Sequence, residues 1–163
     1  MILIGLGANL PSKVGPPQAT LEAALDALAA AGVTILARSR WYRTAPVPVS
    51  DQPWFVNGVA SVATSLAPIE LLALLRKIEL QFGRERGEPN AARTIDLDII
   101  DYDGIVMNET GLILPHPRLQ DRAFVLLPLA EIAPQWRHMG LRKSIRSLIY
   151  RLPEGQKAEL IDP

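Results

Sequence analysis

The chain has 163 residues, nearly half of them hydrophobic, which is enough to bury one core and too little for two ordinary domains, so a single domain over residues 1–163 is expected. Lysine plus arginine equals aspartate plus glutamate, 17 against 17, so no global field draws the protein to nucleic acid or to an anionic membrane, and any phosphate-binding charge must be local. Cysteine is absent, which excludes disulfides, thiolate metal sites and cysteine nucleophiles.

Met1 to Gly7 lacks a basic leader and is short and glycine-interrupted, so it reads as a strand rather than a signal peptide. No apolar run approaches the roughly 20 residues of a membrane-spanning helix, and a soluble, cytoplasmic protein is expected. Pro16 and Pro17 stand where a helix can begin, and Leu21, Ala24, Leu25 and Leu28 recur at helical spacing before Gly32 ends the run. From Val33 to Tyr42 the pattern is extended. A proline-bearing loop through Ala45-Pro46-Val47-Pro48 and Gln52-Pro53 leads to a second extended run, Phe55 to Thr64. Pro68 and Glu70 open an amphipathic helix carrying Leu71, Leu72, Leu75 and Ile78, closed by Gly83. Thr94 to Ile100 is the strongest strand pattern in the chain.

Strand, helix, strand, strand, helix, strand is the ferredoxin-like βαββαβ order, an α+β fold whose antiparallel sheet carries both helices on one face. A C-terminal hairpin and helices complete it. Asp103-Gly104 suggests a turn, Asn108 to Leu114 a further strand, and Leu141 to Leu152 a closing helix. Arg122 to Ile132 reads as helical at its end, with Pro128 either in the first turn or at a kink.

Asp96 and Asp98 are two apart on a strand, so both carboxylates project from one face. Magnesium is commonly held by one or two carboxylates together with waters and substrate phosphates, and such a pair suits a metal–nucleotide complex; a solvated acidic sheet face has the same spacing. Arg84, Arg86 and Arg93 flank the strand and offer forked donors that match phosphate oxygens. Downstream, Pro115-His116-Pro117-Arg118 and Arg122 form a second polar cluster, with His116 in a proline-restricted loop. Phe55 and Asn57 share a strand face, placing an aromatic plane beside a two-way amide, and Phe124 can supply another ring.

These residues, with Gly5-Leu6-Gly7-Ala8-Asn9-Leu10, Tyr42-Arg43-Thr44, Asp51-Gln52-Pro53-Trp54-Phe55-Val56-Asn57, Arg93-Thr94-Ile95-Asp96-Leu97-Asp98-Ile99 and Leu114-Pro115-His116-Pro117, resemble the 6-hydroxymethyl-7,8-dihydropterin pyrophosphokinase family of folate biosynthesis. The likeness runs up to about Pro134 and is weaker afterwards. It implies a ferredoxin-like fold, ATP as donor, the pterin alcohol as nucleophile and AMP as product. It implies that Asp96 and Asp98 coordinate two magnesium ions, that Arg84 and Arg93 act with them in catalysis, and that Arg84, Arg93, His116 and Arg122 neutralise phosphate charge. Glu79 and Ile99 fall among its ATP-side positions. Thr44, Pro46 and Val47 would line the pterin edge, Asn57 would hydrogen-bond the pyrimidine ring, and Phe55 and Phe124 would sandwich the bicycle. No nucleic-acid or membrane partner is implied, and a monomer is expected.

The loops from Arg84 to Ala92 and from Thr44 to Pro53 are placed to act as lids. Gly87, Asn90, Ala8, Phe55 and Pro117 depart from the family pattern, the first two in the loop that contacts ATP. The fold alone also permits a non-catalytic binding module, and the same metal and arginine chemistry would serve a kinase moving only the γ-phosphoryl group.

Overall fold

The structure, a computed structural model, describes residues 1–85, 91–109 and 111–161. Alternation along β1 (Ile2–Ala8) sorts the fold into layers. Ile2, Ile4 and Leu6 point to one core, Leu3 points to another, and Gly5 and Gly7 leave the second face bare toward the end of the strand. The first core is closed by α1 (Pro17–Ala30), through Leu21, Leu25 and Leu28, and by α2 (Pro68–Gln81), through Leu71, Leu75 and Ile78. Prolines at the first turn start both helices, and in α2 the Glu70 carboxylate accepts the Ala67 N–H at 2.9 Å.

The sheet is antiparallel. β1 lies between β4 (Phe55–Ala63) and β5 (Asp96–Tyr102), while β2 (Thr34–Arg38) and β3 (Tyr42–Thr44) both pair with β4. The single extended run expected from Val33 to Tyr42 is thus two strands. The break is at Ser39, which is fully buried; its hydroxyl accepts the Val59 N–H at 3.0 Å and donates to the Arg40 carbonyl at 2.8 Å, standing in for ladder bonds.

Four further differences lie in the C-terminal third. Residues expected as one strand, Asn108 to Leu114, fold back as the hairpin β6 (Met107–Glu109) and β7 (Leu112–Leu114), with Gly111 at φ +85° where a side chain would be strained. α3 (Ala123–Ile132) is helical from its first residues, and Pro128 sits in its interior, not in its first turn. The closing helix is shorter than its periodicity suggested. Residues 143 and 144 pair with β8 (Arg137–His138) as β9 (Lys143–Ser144), and the Ser144 hydroxyl then caps α4 (Ile145–Tyr150) by accepting the Ser147 N–H at 3.2 Å. The unforeseen β10 (Ala158–Leu160) extends the sheet beyond β3.

The second core packs Leu126 and Leu129 of α3 and Ile145 and Leu148 of α4 against Leu3, Val59 and Ile100 of the sheet. These helices cover only the part of that face where β1 carries Leu3. Where β1 carries glycine, the face stays open and the site forms. No helix of the described residues is long and apolar enough to cross a membrane.

Candidate active site

Pairing register aligns the site across three strands. Gly7 lies opposite Asn57 of β4 on one side and Asp96 of β5 on the other, and Gly5 lies between Val59 and Asp98. Directly opposed residues project to the same side of a sheet. Asn57 and Asp96 therefore face one cavity from positions two strand spacings apart, roughly 10 Å. The cavity, about 370 Å³, is floored by Gly5, Gly7, Asn57, Asp96 and Asp98 and walled by Phe55, Val47, Phe124, Arg122 and His116. Its room comes from the glycines. A Cβ on Gly7 would stand 2.5 Å from Asn57 Oδ1, and one on Gly5 would stand 3.3 Å from Ile100.

Both aspartates open into this cavity and each has cationic neighbours. Asp96 Oδ1 accepts from Arg84 at 2.8 Å, and its other oxygen is 3.1 Å from Arg93. Asp98 is 3.6 Å from Arg76 and 3.9 Å from His116 Nε2. Burial and then the charge of Asp96 push the Asp98 carboxyl up to about 7. The pair therefore resists carrying two full negative charges with no cation between them. Magnesium fits this donor set, which offers two convergent carboxylates and leaves the remaining positions to phosphate and water. Among the described residues, no group of three or more histidine, cysteine or acidic side chains forms a closed metal cage.

Five arginines, Arg76, Arg84, Arg93, Arg118 and Arg122, line the cavity against two aspartates, and even with Glu79 behind Arg76 and Arg84 the cations outnumber the carboxylates in a chain of zero formal net charge. Burial, followed by the like charge of Arg118, holds Arg122 below its usual value against the pull of Asp98 and Asp96. This is an arginine cluster short of anions, the electrostatic complement of a polyphosphate. His116 is pulled down to about 4, first by burial and then by Arg122, so at neutral pH it is an uncharged imidazole and acts as a hydrogen-bonding group.

Arg84, Arg93, Asp96, Asp98, His116, Arg122, Val47, Phe55, Asn57 and Phe124 all line the cavity. Ile99 lines an adjoining recess of about 240 Å³ with Leu72, Leu112 and Ile113; Arg76, Asp98 and His116 border both spaces. Three expected residues do not line the cavity. Thr44 is buried beneath it, where its hydroxyl accepts from Asn57 Nδ2 at 2.6 Å and so orients that amide. Pro46 stands between the lining residues Ala45 and Val47 without reaching the cavity itself.

Glu79 is the third. It is 2 % exposed, and its carboxylate accepts from Arg76 at 2.7 Å, from the Leu97 N–H at 2.8 Å and from Arg84. It holds two cleft arginines from behind. Arg86, Gly87 and Asn90 lie outside the described residues, as does most of the proposed lid between Arg84 and Ala92.

Arg76 and Asn9 were not singled out by sequence. Arg76 occupies an ordinary polar position on a helix surface, and only the packing of α2 beside β5 reveals its place. Asn9, 3 % exposed, donates to Gln52 Oε1 at 2.8 Å and to the Pro53 carbonyl at 2.9 Å, and accepts the Arg93 N–H at 2.8 Å. The loop before β4 and the loop before β5 are thus tied to the end of β1. Asn9 lies in the glycine motif of the first strand, which was a signal for it.

The family model of 7,8-dihydro-6-hydroxymethylpterin-pyrophosphokinase (HPPK) matches residues 3–134. A Methylorubrum extorquens protein described as 2-amino-4-hydroxy-6-hydroxymethyldihydropteridine pyrophosphokinase is 42% identical over 132 residues, 80% of this chain and 81% of the relative. The protein of that name from Pseudomonas aeruginosa is 42% identical over 137 residues, 83% and 82% of the two chains. Among solved structures, a Plasmodium falciparum HPPK-DHPS variant superposes with a TM-score of 0.73 at 15% identity, over 92% of this chain and 45% of the other, a likeness of fold alone in which this chain spans less than half of the crystallised one. The extent of the family match and the identity to relatives of similar length place the chain in one group: it belongs to the 7,8-dihydro-6-hydroxymethylpterin-pyrophosphokinase family.

Proposed function

We propose that the cleft transfers pyrophosphate from ATP to 6-hydroxymethyl-7,8-dihydropterin, giving the pterin diphosphate and AMP. The observation that carries this reading is the row Asn57–Gly7–Asp96, which sets an amide suited to a flat heterocycle and a carboxylate suited to a metal-bound phosphate on one sheet face. The fold supports it as well. Without the added β10 and the C-terminal hairpins and helices, and with β2 and β3 taken as one strand interrupted at Ser39, we read the element order as the ferredoxin-like βαββαβ of one pyrophosphokinase domain.

The apolar recess beside Leu72 and Ile99 suits the adenine ring, and the arginine-lined stretch between recess and cavity suits the triphosphate. The pterin bicycle then lies between Phe55 and Phe124, with Asn57 held by Thr44 to read its pyrimidine edge. In the transfer, the pterin hydroxymethyl oxygen bonds to the β-phosphorus and the bond from that phosphorus to the α-phosphate oxygen breaks, releasing AMP. Asp96 and Asp98 would hold magnesium, which supplies charge neutralisation and orientation to the triphosphate. Arg84 and Arg93 stabilise charge on the phosphate oxygens and His116 donates to them, so the protein contributes chiefly positioning and electrostatics. Residues Thr44 to Pro53 close over the pterin side, and a cytoplasmic monomer is the form we expect to act.

Incubation with magnesium, ATP and 6-hydroxymethyl-7,8-dihydropterin tests the reading directly. AMP is the expected nucleotide product; ADP would indicate γ-phosphoryl transfer, and absence of turnover would indicate a binding module. Gly7→Ala is expected to raise the KM for the pterin about tenfold, because the new methyl group collides with an Asn57 amide that Thr44 prevents from swinging aside. An unchanged pterin KM in a folded Gly7→Ala protein would argue against Asn57 as the pterin contact.

His116 offers a pH test. Its folded-state value lies below that of a free imidazole, so as pH falls below about 6.5 the unfolded chain takes up the proton first. Acidification therefore costs stability, and the loss is complete only near pH 4. An NMR titration of the two imidazoles, assigned with His116→Gln, is expected to show His116 still neutral at pH 5.5 and titrating at higher pH once ATP is bound. A midpoint near 6.5 in the free protein would contradict the burial argument.

A further inference from the structure

The strand β10 lies beyond the residues that match the family model, yet Gln156, two residues before it, reaches the wall of the cleft. Gln156 Nε2 donates to the Asp121 carbonyl at 2.7 Å, and its Oε1 accepts the Ala123 N–H at 2.9 Å. Only one orientation of the amide satisfies both bonds. Ala123 opens α3, whose N-cap residue Arg122 makes no side-chain capping bond, so Gln156 supplies from a distant part of the chain the acceptor that a cap would otherwise provide.

The two residues flanking Ala123 are Arg122 and Phe124, both in the cavity wall, with the Arg122 guanidinium 5.3 Å from the Phe124 ring centre. One residue after Gln156, the Lys157 carbonyl accepts the Ala45 N–H at 3.1 Å, and Ala158 then pairs with Thr44. Two consecutive residues are thus tied to two separate stretches of the cleft lining: Ala45, beside Thr44 and Val47, and the start of α3, beside Phe124.

We infer that the segment Gln156–Leu160 is a brace that sets the width of the pterin end of the cleft, with Gln156 as a positioning residue for Phe124 and Arg122. The inference rests on the pterin assignment above. Its mechanism is preorganisation: a ring and a guanidinium fixed before the ligand arrives need not be ordered by it. The nucleotide end, at Ile99 and Leu112, has no contact with this segment among the hydrogen bonds of the described residues, so the larger effect falls on the pterin and the nucleotide feels the segment only through Arg122.

The test is Gln156→Met, which keeps the side-chain length and removes both hydrogen bonds, with Gln156→Glu, which keeps the acceptor for Ala123 and loses the donor. Three quantities are read: affinity for 6-hydroxymethyl-7,8-dihydropterin by fluorescence titration, affinity for ATP, and exchange of the Ala123 amide hydrogen without ligand. Gln156→Met is expected to weaken the pterin roughly fivefold to tenfold, leave ATP affinity within about twofold, and speed Ala123 exchange; Gln156→Glu falls between it and the unaltered chain. Equal loss of both ligands, or wild-type pterin affinity in either folded variant, overturns the brace. If Gln156→Met does not fold, Gln156→Glu decides by the same criteria. An unaltered protein that fails to take up the pterin refutes the functional reading as well, whereas normal uptake with unaffected variants refutes the brace alone.

Discussion

Asp96→Asn and Asp98→Asn are each expected to lower turnover by at least roughly 10²-fold while the protein stays folded, by analogy with loss of one preorganised charge-stabilising group. Asparagine keeps the shape and one carbonyl oxygen, so Arg84 retains an acceptor at position 96. It removes the negative charge that a divalent cation needs. The two positions differ in what remains: at 96 Arg93 loses its ionic partner and Arg84 is left with Glu79 alone, whereas at 98 the loss relieves a carboxyl already raised to about 7. Melting temperatures are therefore expected to change more at 96 than at 98. Rates of AMP formation at saturating magnesium check the claim, and near-normal turnover in either variant would sink the metal assignment.

The largest effect on stability is expected at Glu79. Glu79→Ala leaves Arg76 and Arg84 without their shared carboxylate and the Leu97 N–H without its acceptor, all beside the helix–sheet contact between α2 and β5. Breaking a buried ion pair from one side costs about 3 kcal/mol or more, which for a domain of this length lowers the melting temperature by roughly 10 °C. Glu79→Gln keeps an acceptor and is expected to cost less than half as much. Activity should fall in both, since Arg84 reaches Asp96 from its position on Glu79. Thermal melts followed by circular dichroism decide the point; a Glu79→Ala protein as stable as the unaltered chain would show that the arginines find other partners.

What the sequence made legible follows from periodicity. Asp96 and Asp98, and Phe55 and Asn57, each share a face because strand residues two apart must, and all four line the cavity. Both long helices begin at prolines and are followed by glycines, Gly32 and Gly83, with φ above +80°. The errors arise where a side chain from far along the chain takes over a local role. Ser39 divides an extended run because it reaches a backbone amide of β4, and Glu79, on a polar helix position, turns inward because two arginines and one N–H gather there. Gln156 left no local trace at all, since its partners are 33 and 35 positions away. Thr44, expected at the pterin edge, does not line the cavity and instead accepts a hydrogen bond from Asn57, which does.

The hollow above β1 is made by two hydrogen atoms, at Gly5 and Gly7, in the middle of a hydrogen-bonded ladder. A gap held open by bent-back side chains can refill when they rotate, but here the strand beneath is held in register by a partner on each side. The floor of the site should thus keep one shape through every cycle of turnover, so that adaptation to the ligands falls wholly to the parts above it.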